Sequence, residues 1–426
     1  MRSLLVGLPC CLVLLLSGCG APASGGELAT SRQARDASPS VGSADSGALT
    51  TGNTAFALDL YQQLRGADTN LFFSPHSISV ALAMAYAGAG GQTEQQMADV
   101  LHYTLSQGTL HPAFNALDLE LASRGEGARG RHGQPFRLHI TNALWGQTGY
   151  SFLPDFLDLL ARNYGAGMRL LDFGTAPEPS RAAINDWVAD QTEQRIQDLI
   201  PGGVITTATR LVLTNAIYFD AAWESTFKKD ATHPGEFTLL NGDEVSVDMM
   251  HQSHRFPYAA GDGYQAVELR YDGGELSMVV LLPGEGRLAE FEESLDAEGL
   301  TAILGDLAPT EVRLTMPRLT YESSFQLRDV LSAMGMADAF VPGVADFSGM
   351  DGTRNLFIQE VLHKALVRVD EEGTEAAAAT AVVVGITAAP PQEVVEVVID
   401  HPFIFLIRDL KTGTVLFLGR VLNPTG

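Results

Sequence analysis

The sequence predicts an α+β fold because helical and strand-like patterns are segregated along the chain instead of alternating. Helical periodicity is concentrated in the first half of the chain, and apolar strand-like runs are concentrated in the second half. The chain has 426 residues and 46% apolar content, which suffices for one large or two ordinary globular domains. Disorder over most of the chain is therefore excluded.

The helical and strand-like segments follow one another in that order. Helical periodicity predicts three segments, namely one marked by Phe56, Leu60 and Leu64, one from about Ser74 to Tyr86, and one over residues 180–199. The second segment begins with Ser74 and Pro75, a pair that is typical of a helix start. Strands are predicted at 211–219, 276–282, 312–316, 362–369, 394–399, 403–407 and 414–418.

The most informative segment is the run of small residues between Gly373 and Pro391. Gly373 permits a wide range of backbone angles, and no proline follows it before Pro390. Small and β-branched residues fill the interval, so the segment is compatible with an exposed loop and with a strand inside a sheet. Two conformations of one segment are therefore predicted. An alanine-rich linker or a short helix is the simpler alternative, since alanine is the best helix former.

Alternation along this segment favours a strand that tolerates burial, because successive strand side chains point to opposite faces. One alternate set is small or apolar and uncharged, and it consists of Thr374, Ala376, Ala378, Thr380, Val382 and Val384. Glu375, the one acidic residue past the glycine, falls on the other face.

Composition excludes several functional classes. The formal net charge is -24, from 27 basic and 51 acidic residues without a long basic run, so nucleic-acid binding is not expected. No hydrolase nucleophile motif and no dinucleotide loop are present. His251 and His254 form the only close histidine pair in a plausible strand-and-turn region, and no cysteine or suitably spaced glutamate accompanies them. We therefore predict neither a metal nor a cofactor, and no enzymatic activity.

The amino terminus has the pattern of a signal peptide. Arg2 precedes an apolar run from Leu4 to Leu16, which is too short for a membrane span of roughly 20 residues. The following Leu16-Ser17-Gly18-Cys19 resembles the lipobox of bacterial lipoproteins, which implies cleavage after residue 18 and a lipidated Cys19. An ordinary secretory signal with an incidental cysteine is the alternative.

The segment after the lipobox predicts a tether. Residues 20–49 are mostly Gly, Ala, Ser, Thr and Pro, with too little apolar content to fold. As a flexible coil they would span on the order of 30 Å. The predicted organisation is therefore a signal peptide at 1–18, a lipidated cysteine with a flexible tether at 19–50, and a folded domain at 51–426.

Several long motifs in order resemble the serpin family, from about Asn53 to the carboxyl terminus. The motifs are Asn70-Leu71-Phe72-Phe73-Ser74-Pro75-His76-Ser77-Ile78-Ser79, Leu211-Val212-Leu213-Thr214-Asn215-Ala216-Ile217-Tyr218-Phe219, Asp400-His401-Pro402-Phe403-Ile404-Phe405 and Gly419-Arg420-Val421-Leu422-Asn423-Pro424. The resemblance implies three β-sheets with about nine helices and an exposed reactive-centre loop. It also implies a monomer.

The resemblance implies that the loop runs from Gly373 to about Pro391 and begins with a hinge of the inhibitory type. The predicted hinge residues are Glu371, Glu372, Gly373, Thr374, Glu375, Ala376, Ala377, Ala378, Ala379 and Thr380. Non-inhibitory relatives often carry bulky, charged or proline residues in this hinge. The resemblance therefore implies suicide inhibition, in which a target serine protease forms a covalent acyl complex and the cut loop inserts into the main sheet.

Counting along the family's usual loop length places the cleaved bond between Thr387 and Ala388, within one or two residues. The flanking bait residues are Val384, Gly385, Ile386 and Ala389. Small and aliphatic residues without lysine or arginine favour an elastase-like or subtilisin-like target. A non-inhibitory serpin-fold binding or structural protein, and an inhibitor of cysteine proteases, are the alternatives.

The resemblance also implies a set of residues at which the sheet opens. Ser74, Ser77, Asn215 and His363 would form a hydrogen-bonded cluster under the main sheet, and Trp223 would lie beneath its top, near Glu371. An ordinary satisfied core histidine and plain tryptophan packing are the alternatives. With the lipid anchor, the whole pattern predicts a secreted bacterial inhibitor held at a membrane and facing the periplasm or the extracellular space.

Overall fold

The computed structural model of the chain describes residues 26–126, 128, 137–374 and 394–425. Helices lie mainly in the first half of these ranges. They are α1 (Ser43–Leu64), α2 (Pro75–Tyr86), α3 (Gly91–Val100), α4 (Gln107–Ala122), α5 (Pro154–Tyr164), α6 (Pro177–Gln191), α7 (Leu288–Ser294), α8 (Ala297–Gly305), α9 (Arg328–Met334) and α10 (Ser348–Asp351). None of the helices in these ranges is both long and apolar enough to cross a bilayer.

The strands lie mainly in the second half of the chain. They are β1 (Glu27–Ala29), β2 (Leu71–Phe73), β3 (Arg137–Gln147), β4 (Met168–Leu171), β5 (Leu211–Ala222), β6 (His233–Thr238), β7 (Glu244–Gly261), β8 (Tyr264–Arg270), β9 (Leu276–Pro283), β10 (Ala308–Pro317), β11 (Leu319–Gln326), β12 (Ile358–Asp370), β13 (Gly373–Thr374), β14 (Val395–Val398), β15 (Phe403–Asp409) and β16 (Val415–Val421). The predicted α+β class is confirmed.

Two hydrogen-bonded sheets are formed by these strands. The seven-stranded sheet has the order β1-β4-β3-β5-β13-β12-β11, and the nine-stranded sheet has the path β14-β10-β7-β8-β9-β15-β16-β2, with β6 paired to β7. The 18-residue strand β7 pairs at its start with β6 and at its end with β8. A third group of strands, β14, β10 and β6, is thus continuous with the second sheet through β7.

The core lies between the two sheets and around α2. This helix is buried at every residue and contacts β3, β5 and β16. Ser74 caps it by accepting a hydrogen bond from the Ser77 N–H, as the serine and proline pair predicts. Phe417 joins the sheets, since its ring stacks on Phe72 at 4.9 Å between centroids and lies 5.6 Å from Phe219.

Two sequence predictions are wrong in their boundaries. The predicted tether ends too late, because β1 and α1 place residues 26–50 in the folded domain. Backbone pairing and polar contacts hold residues 26–50 in the folded domain. The prediction relied on apolar content, which does not report on either kind of interaction. The amphipathic segment predicted over 180–199 is helical only to Gln191, because Glu193, Gln194 and Asp198 adopt positive φ angles that end the helix.

Candidate functional site

The central feature of the seven-stranded sheet is a gap between β5 and β12 that the start of the loop enters. The two strands pair directly in parallel until Leu366. Beyond that point, β13 lies between them, with Gly373 opposite Ala222 of β5 and opposite Asp370 of β12. The first two loop residues, Gly373 and Thr374, therefore already occupy a strand position.

Gly373 makes this entry sterically possible. Its φ angle is +147°, in a region that L side chains rarely adopt. A Cβ atom there would lie 2.1 Å from the carbonyl oxygen of Ala221. The tight reversal from β12 into the gap therefore requires glycine.

Glu371 is buried at the reversal and is held by a cation. The Arg318 guanidinium donates from Nε to both carboxylate oxygens at 3.0 Å, and the Thr232 hydroxyl donates to Oε1 at 2.6 Å. Burial by itself would raise the pKa of Glu371, but the hydrogen bonds from Arg318 and Thr232 outweigh it and lower that pKa. The Phe227 N–H donates to the Glu371 carbonyl at 2.8 Å, so both main chain and side chain fix this residue.

Trp223 fixes the adjacent backbone. Its indole N–H donates to the Asp370 carbonyl at 2.9 Å, and its main-chain N–H donates to the Glu372 carbonyl at 2.8 Å. The ring stacks on Tyr271 with 4.6 Å between centroids. Lys229 forms an ion pair with the buried Glu372 carboxylate. Trp223 thus lies near Glu371 at the hinge end of the gap and apart from the other members of its predicted set.

The remaining members of that set meet below the directly paired part of β5 and β12. The Ser74 N–H donates to Nε2 of His363 at 3.1 Å, and Nδ1 of His363 bonds Oδ1 of Asn215. The Asn215 amide donates to Ser77 Oγ and to Asn142 Oδ1. We call these five residues, Ser74, Ser77, Asn142, Asn215 and His363, the lower cluster.

The lower cluster is uncharged in the folded protein. His363 is fully buried, and burial lowers the pKa of its imidazole to about 3. Its ring also stacks on Phe325, the residue opposite it on β11. The cluster therefore satisfies polar groups in the interior without placing a charge there.

Some functional residues were missed from the sequence, and others lie outside the described residues. Asn142 was missed, although a signal exists, because Thr141-Asn142-Ala143 repeats the triplet Thr214-Asn215-Ala216 and pairs with it across β3 and β5. Arg318, Thr232 and Lys229 carried no signal. Outside the described residues lie Cys19, Glu375, Ala376, Ala377, Ala378, Ala379, Thr380, Val384, Gly385, Ile386, Thr387, Ala388 and Ala389. The predicted bond and bait remain predictions.

The gap between β5 and β12 is a place where an additional strand can pair with the sheet. Two parallel strands separated at one end by a glycine-led segment offer unpaired ladder positions farther along, once they part. Among the described residues, no group of three or more His, Cys, Asp or Glu is placed to hold a metal ion.

Comparison with known proteins defines the class. A family model described as "Serpin (serine protease inhibitor)" matches residues 51–424. The chain is 43% identical over 372 residues to an uncharacterized serpin-like protein of Thermococcus kodakarensis, covering 87% of this chain and 84% of that one. It is 40% identical over 387 residues to leukocyte elastase inhibitor A of Mus musculus, covering 88% and 99%.

The fold agrees with solved structures of the same class. The crystal structure of the thermophilic serpin tengpin in its native state superposes with a TM-score of 0.81 at 29% identity, covering 92% of this chain and 97% of that chain. The matched family is a class of protease inhibitors and not of enzymes. The chain belongs to the serpin family.

Proposed function

We propose that the chain inhibits serine proteases as a single-use substrate and traps them by inserting its cleaved loop between β5 and β12. The observation that carries the proposal is the position of Gly373 and Thr374, which already pair with both strands. Further insertion would lengthen β13 between the same two strands, β5 and β12. Residues 376–381 are small, and Glu375 falls on the other alternate face, so the face that carries Thr374 meets no bulky side chain before Val382.

The covalent step supplies the trigger. The catalytic serine Oγ of the protease attacks the carbonyl carbon of Thr387, the peptide C–N bond breaks, and the Ala388 amine leaves with the proton. An ester then joins the protease to Thr387. The segment from the hinge to Thr387 is released at that end and is free to enter the sheet. The leaving segment stays attached to β14, which pairs with β10.

The energy of insertion favours trapping. About ten new ladder hydrogen bonds at ~1 kcal/mol each, with burial of alanine and valine methyl groups, make insertion strongly favourable. About fourteen inserted residues at roughly 3.3 Å each would move the bound protease by about 45 Å. Movement on that scale drags the acyl-enzyme across the inhibitor and distorts its active site.

The bait residues support an elastase-like or subtilisin-like target. Val384 to Ala389 contains only small and aliphatic residues, which suit a shallow apolar primary pocket. The named activity of several relatives, leukocyte elastase inhibitor, supports the same class. Lysine and arginine, which a trypsin-like pocket requires, are absent from this stretch.

The decisive experiment is incubation with pancreatic elastase, subtilisin and trypsin, followed by denaturing electrophoresis and mass spectrometry. We expect an adduct that survives denaturation with elastase or subtilisin, and cleavage at Thr387-Ala388. Ala376→Arg should abolish the adduct while cleavage continues, because a buried unpaired charge stalls insertion. Ala376→Ser is the matched control and should retain trapping. Cleavage without any adduct from the unmodified chain would refute the proposal and favour a non-inhibitory serpin.

We also propose that Cys19 anchors the protein to a bacterial membrane, facing the periplasm or the extracellular space. The folded segment begins by Gly26, so the linker is seven residues and spans at most about 25 Å. The seven-stranded sheet, whose edge is β1, would then lie near the membrane surface. Labelling with a fatty-acid analogue should mark the chain, and Cys19→Ala should abolish both the label and membrane fractionation. Unchanged labelling in that variant would exclude the anchor.

A further inference from the structure

The chain enters the seven-stranded sheet level with the start of β5. Through the registers of β1, β4, β3 and β5, one line across the sheet joins Glu27, Leu170, Gly146 and Leu211. Leu211 is the first residue of β5, and it lies opposite Ile358, the first residue of β12. We call this end the distal end of the sheet. Since β1 begins at Glu27, the residues that precede it leave the sheet at the distal end.

The hinge lies at the opposite end of the same strands. Gly373 pairs with Ala222, the last residue of β5. Because β5 has 12 residues, its two ends are about 36 Å apart at roughly 3.3 Å per residue. A chain that is anchored through Cys19 would therefore hold its uncleaved loop on the side that faces away from the membrane.

Insertion of the cleaved loop would reverse this arrangement. β13 is antiparallel to β5, so each residue after Gly373 would pair one position earlier in β5, and Val384 would lie opposite Leu211. Thr387, with the protease attached, would lie about 10 Å beyond that position. Glu27 is on the same line, four strand spacings or about 19 Å away. The trapped protease would thus arrive at the end from which the linker to Cys19 leaves.

The space at the distal end is too small for a protease when the body stands upright on the membrane. A protease of about 230 residues has a radius of gyration of about 17 Å, which corresponds to a diameter of about 45 Å. The seven-residue linker between Cys19 and Gly26 spans at most about 25 Å. The body therefore has to tip over before Thr387 can reach the distal end.

We propose that the membrane anchor and the trapped protease compete for the distal end of the sheet, so that linker length sets how much of the anchored chain traps protease. Slower arrival of Thr387 gives water more time to hydrolyse the ester that joins it to the protease. Hydrolysis leaves a carboxylate on Thr387 and restores the hydroxyl of the protease serine, and the chain is spent without an adduct. The proposal rests on the proposed function and extends it to the anchored form.

The test compares linkers of different length on a membrane and in solution. A chain that begins at Cys19 contains a single thiol, because Cys10 and Cys11 precede it. This thiol is coupled to maleimide lipid in phosphatidylcholine vesicles or is capped with N-ethylmaleimide in solution, so the test does not depend on lipidation in the cell. One variant lacks residues 21–24, and another carries about twenty additional Gly and Ser residues after Gly25, which form a flexible coil.

The readout is the ratio of adduct to cleaved chain after reaction with pancreatic elastase. On vesicles we expect this ratio to rise several-fold from the shortest to the longest linker, with the natural linker between them. The rate of loop cleavage should stay the same, because the hinge lies at the opposite end, and this separates slow insertion from poor access. In solution the three linkers should give one ratio.

Two further outcomes are distinguishable. Equal ratios for the three linkers on vesicles, with adduct formed in solution, would overturn this proposal and leave the proposed function intact. Cleavage without adduct in solution would refute the proposed function and this proposal with it.

Discussion

The two ends of the gap between β5 and β12 are stabilised by different chemistry. At the hinge end, charged side chains hold the reversal, with Arg318 and Lys229 paired to the buried carboxylates of Glu371 and Glu372. At the other end, the lower cluster is neutral, and Ser74, Ser77, Asn215 and His363 are fully buried, with Asn142 partly buried. The hinge end is already parted by β13, whereas the strands above the lower cluster pair directly.

This difference indicates where resistance to opening resides. Arg318 and Lys229 are partly exposed, so water and salt compensate their charges when the pairs separate. The buried amide and imidazole of the lower cluster have no such compensation, and each group left without a partner costs about 1–3 kcal/mol. We therefore expect opening to begin at the hinge and to be limited by the lower cluster.

Asn215→Leu breaks the lower end and should have the largest effect. The substitution removes hydrogen bonds to His363, Ser77 and Asn142 at once. Nδ1 of the buried His363 loses its partner, whereas Ser77 keeps its bond to the partly buried Asn142. We expect the free energy of unfolding to fall by about 4 kcal/mol. Urea denaturation measures it, with Asn355→Leu at an exposed position as control. A fall in unfolding free energy below ~1 kcal/mol would mean that the lower cluster does not provide the main resistance to sheet opening.

Glu371→Gln breaks the hinge end with little change of shape. The variant keeps an acceptor for Arg318 but loses the charge, and the guanidinium keeps its ion pair with Asp248. We expect the free energy of unfolding to fall by about 3 kcal/mol. Glu322→Gln, at an exposed carboxylate paired to Lys364, is the control. A smaller fall in unfolding free energy than in Asn215→Leu would support the lower cluster as the stronger of the two ends. A larger fall would show that the hinge end is the stronger.

The sequence predicts the lower end of the gap better than the hinge end. Ser74, Ser77, Asn215 and His363 lie in long motifs, so a family resemblance brings them together. The cations of the hinge end lie at isolated positions, Arg318 between β10 and β11 and Lys229 in the turn before β6, and no spacing links them to Glu371. Their pairing depends on tertiary geometry, in which a buried carboxylate takes the nearest cation.

The same distinction explains the error at the amino terminus. Apolar content predicts which segments build a core, and residues 26–42 contribute little to one. They are ordered by a short backbone ladder and by Arg35. These interactions require a partner surface that is formed by distant parts of the chain, so composition underestimates the extent of the folded domain.

Acidification should weaken the lower end through His363. Burial lowers the pKa of His363 to about 3, below the ordinary value near 6.5, so the folded protein holds it neutral. The stabilisation is complete above pH 6.5 and is lost as pH falls toward 3, because the unfolded chain binds the proton first. At pH 5 the loss is about 2 kcal/mol for this residue.

His363→Gln should reduce the difference in unfolding free energy between pH 7 and pH 5 by that amount. The fully buried His76 and His111, whose pKa values burial lowers to about 4, retain their own contributions in the variant. His254→Gln, at an exposed histidine, is the control. Urea denaturation at the two pH values decides the result, and an unchanged difference would mean that His363 titrates normally in the folded protein.

Lys229→Ala should have the smallest effect of the four and should depend on salt. Half of the Lys229 side chain is exposed, so its ion pair with Glu372 contributes about 0.5 kcal/mol. The loss should shrink as ionic strength rises, because exposed charges are screened, whereas the loss in Asn215→Leu should not change. Urea denaturation at low and at high NaCl concentration measures the loss of unfolding free energy in both variants. If Lys229→Ala is insensitive to salt, the cation acts through packing, and the electrostatic account of the hinge end fails at this residue.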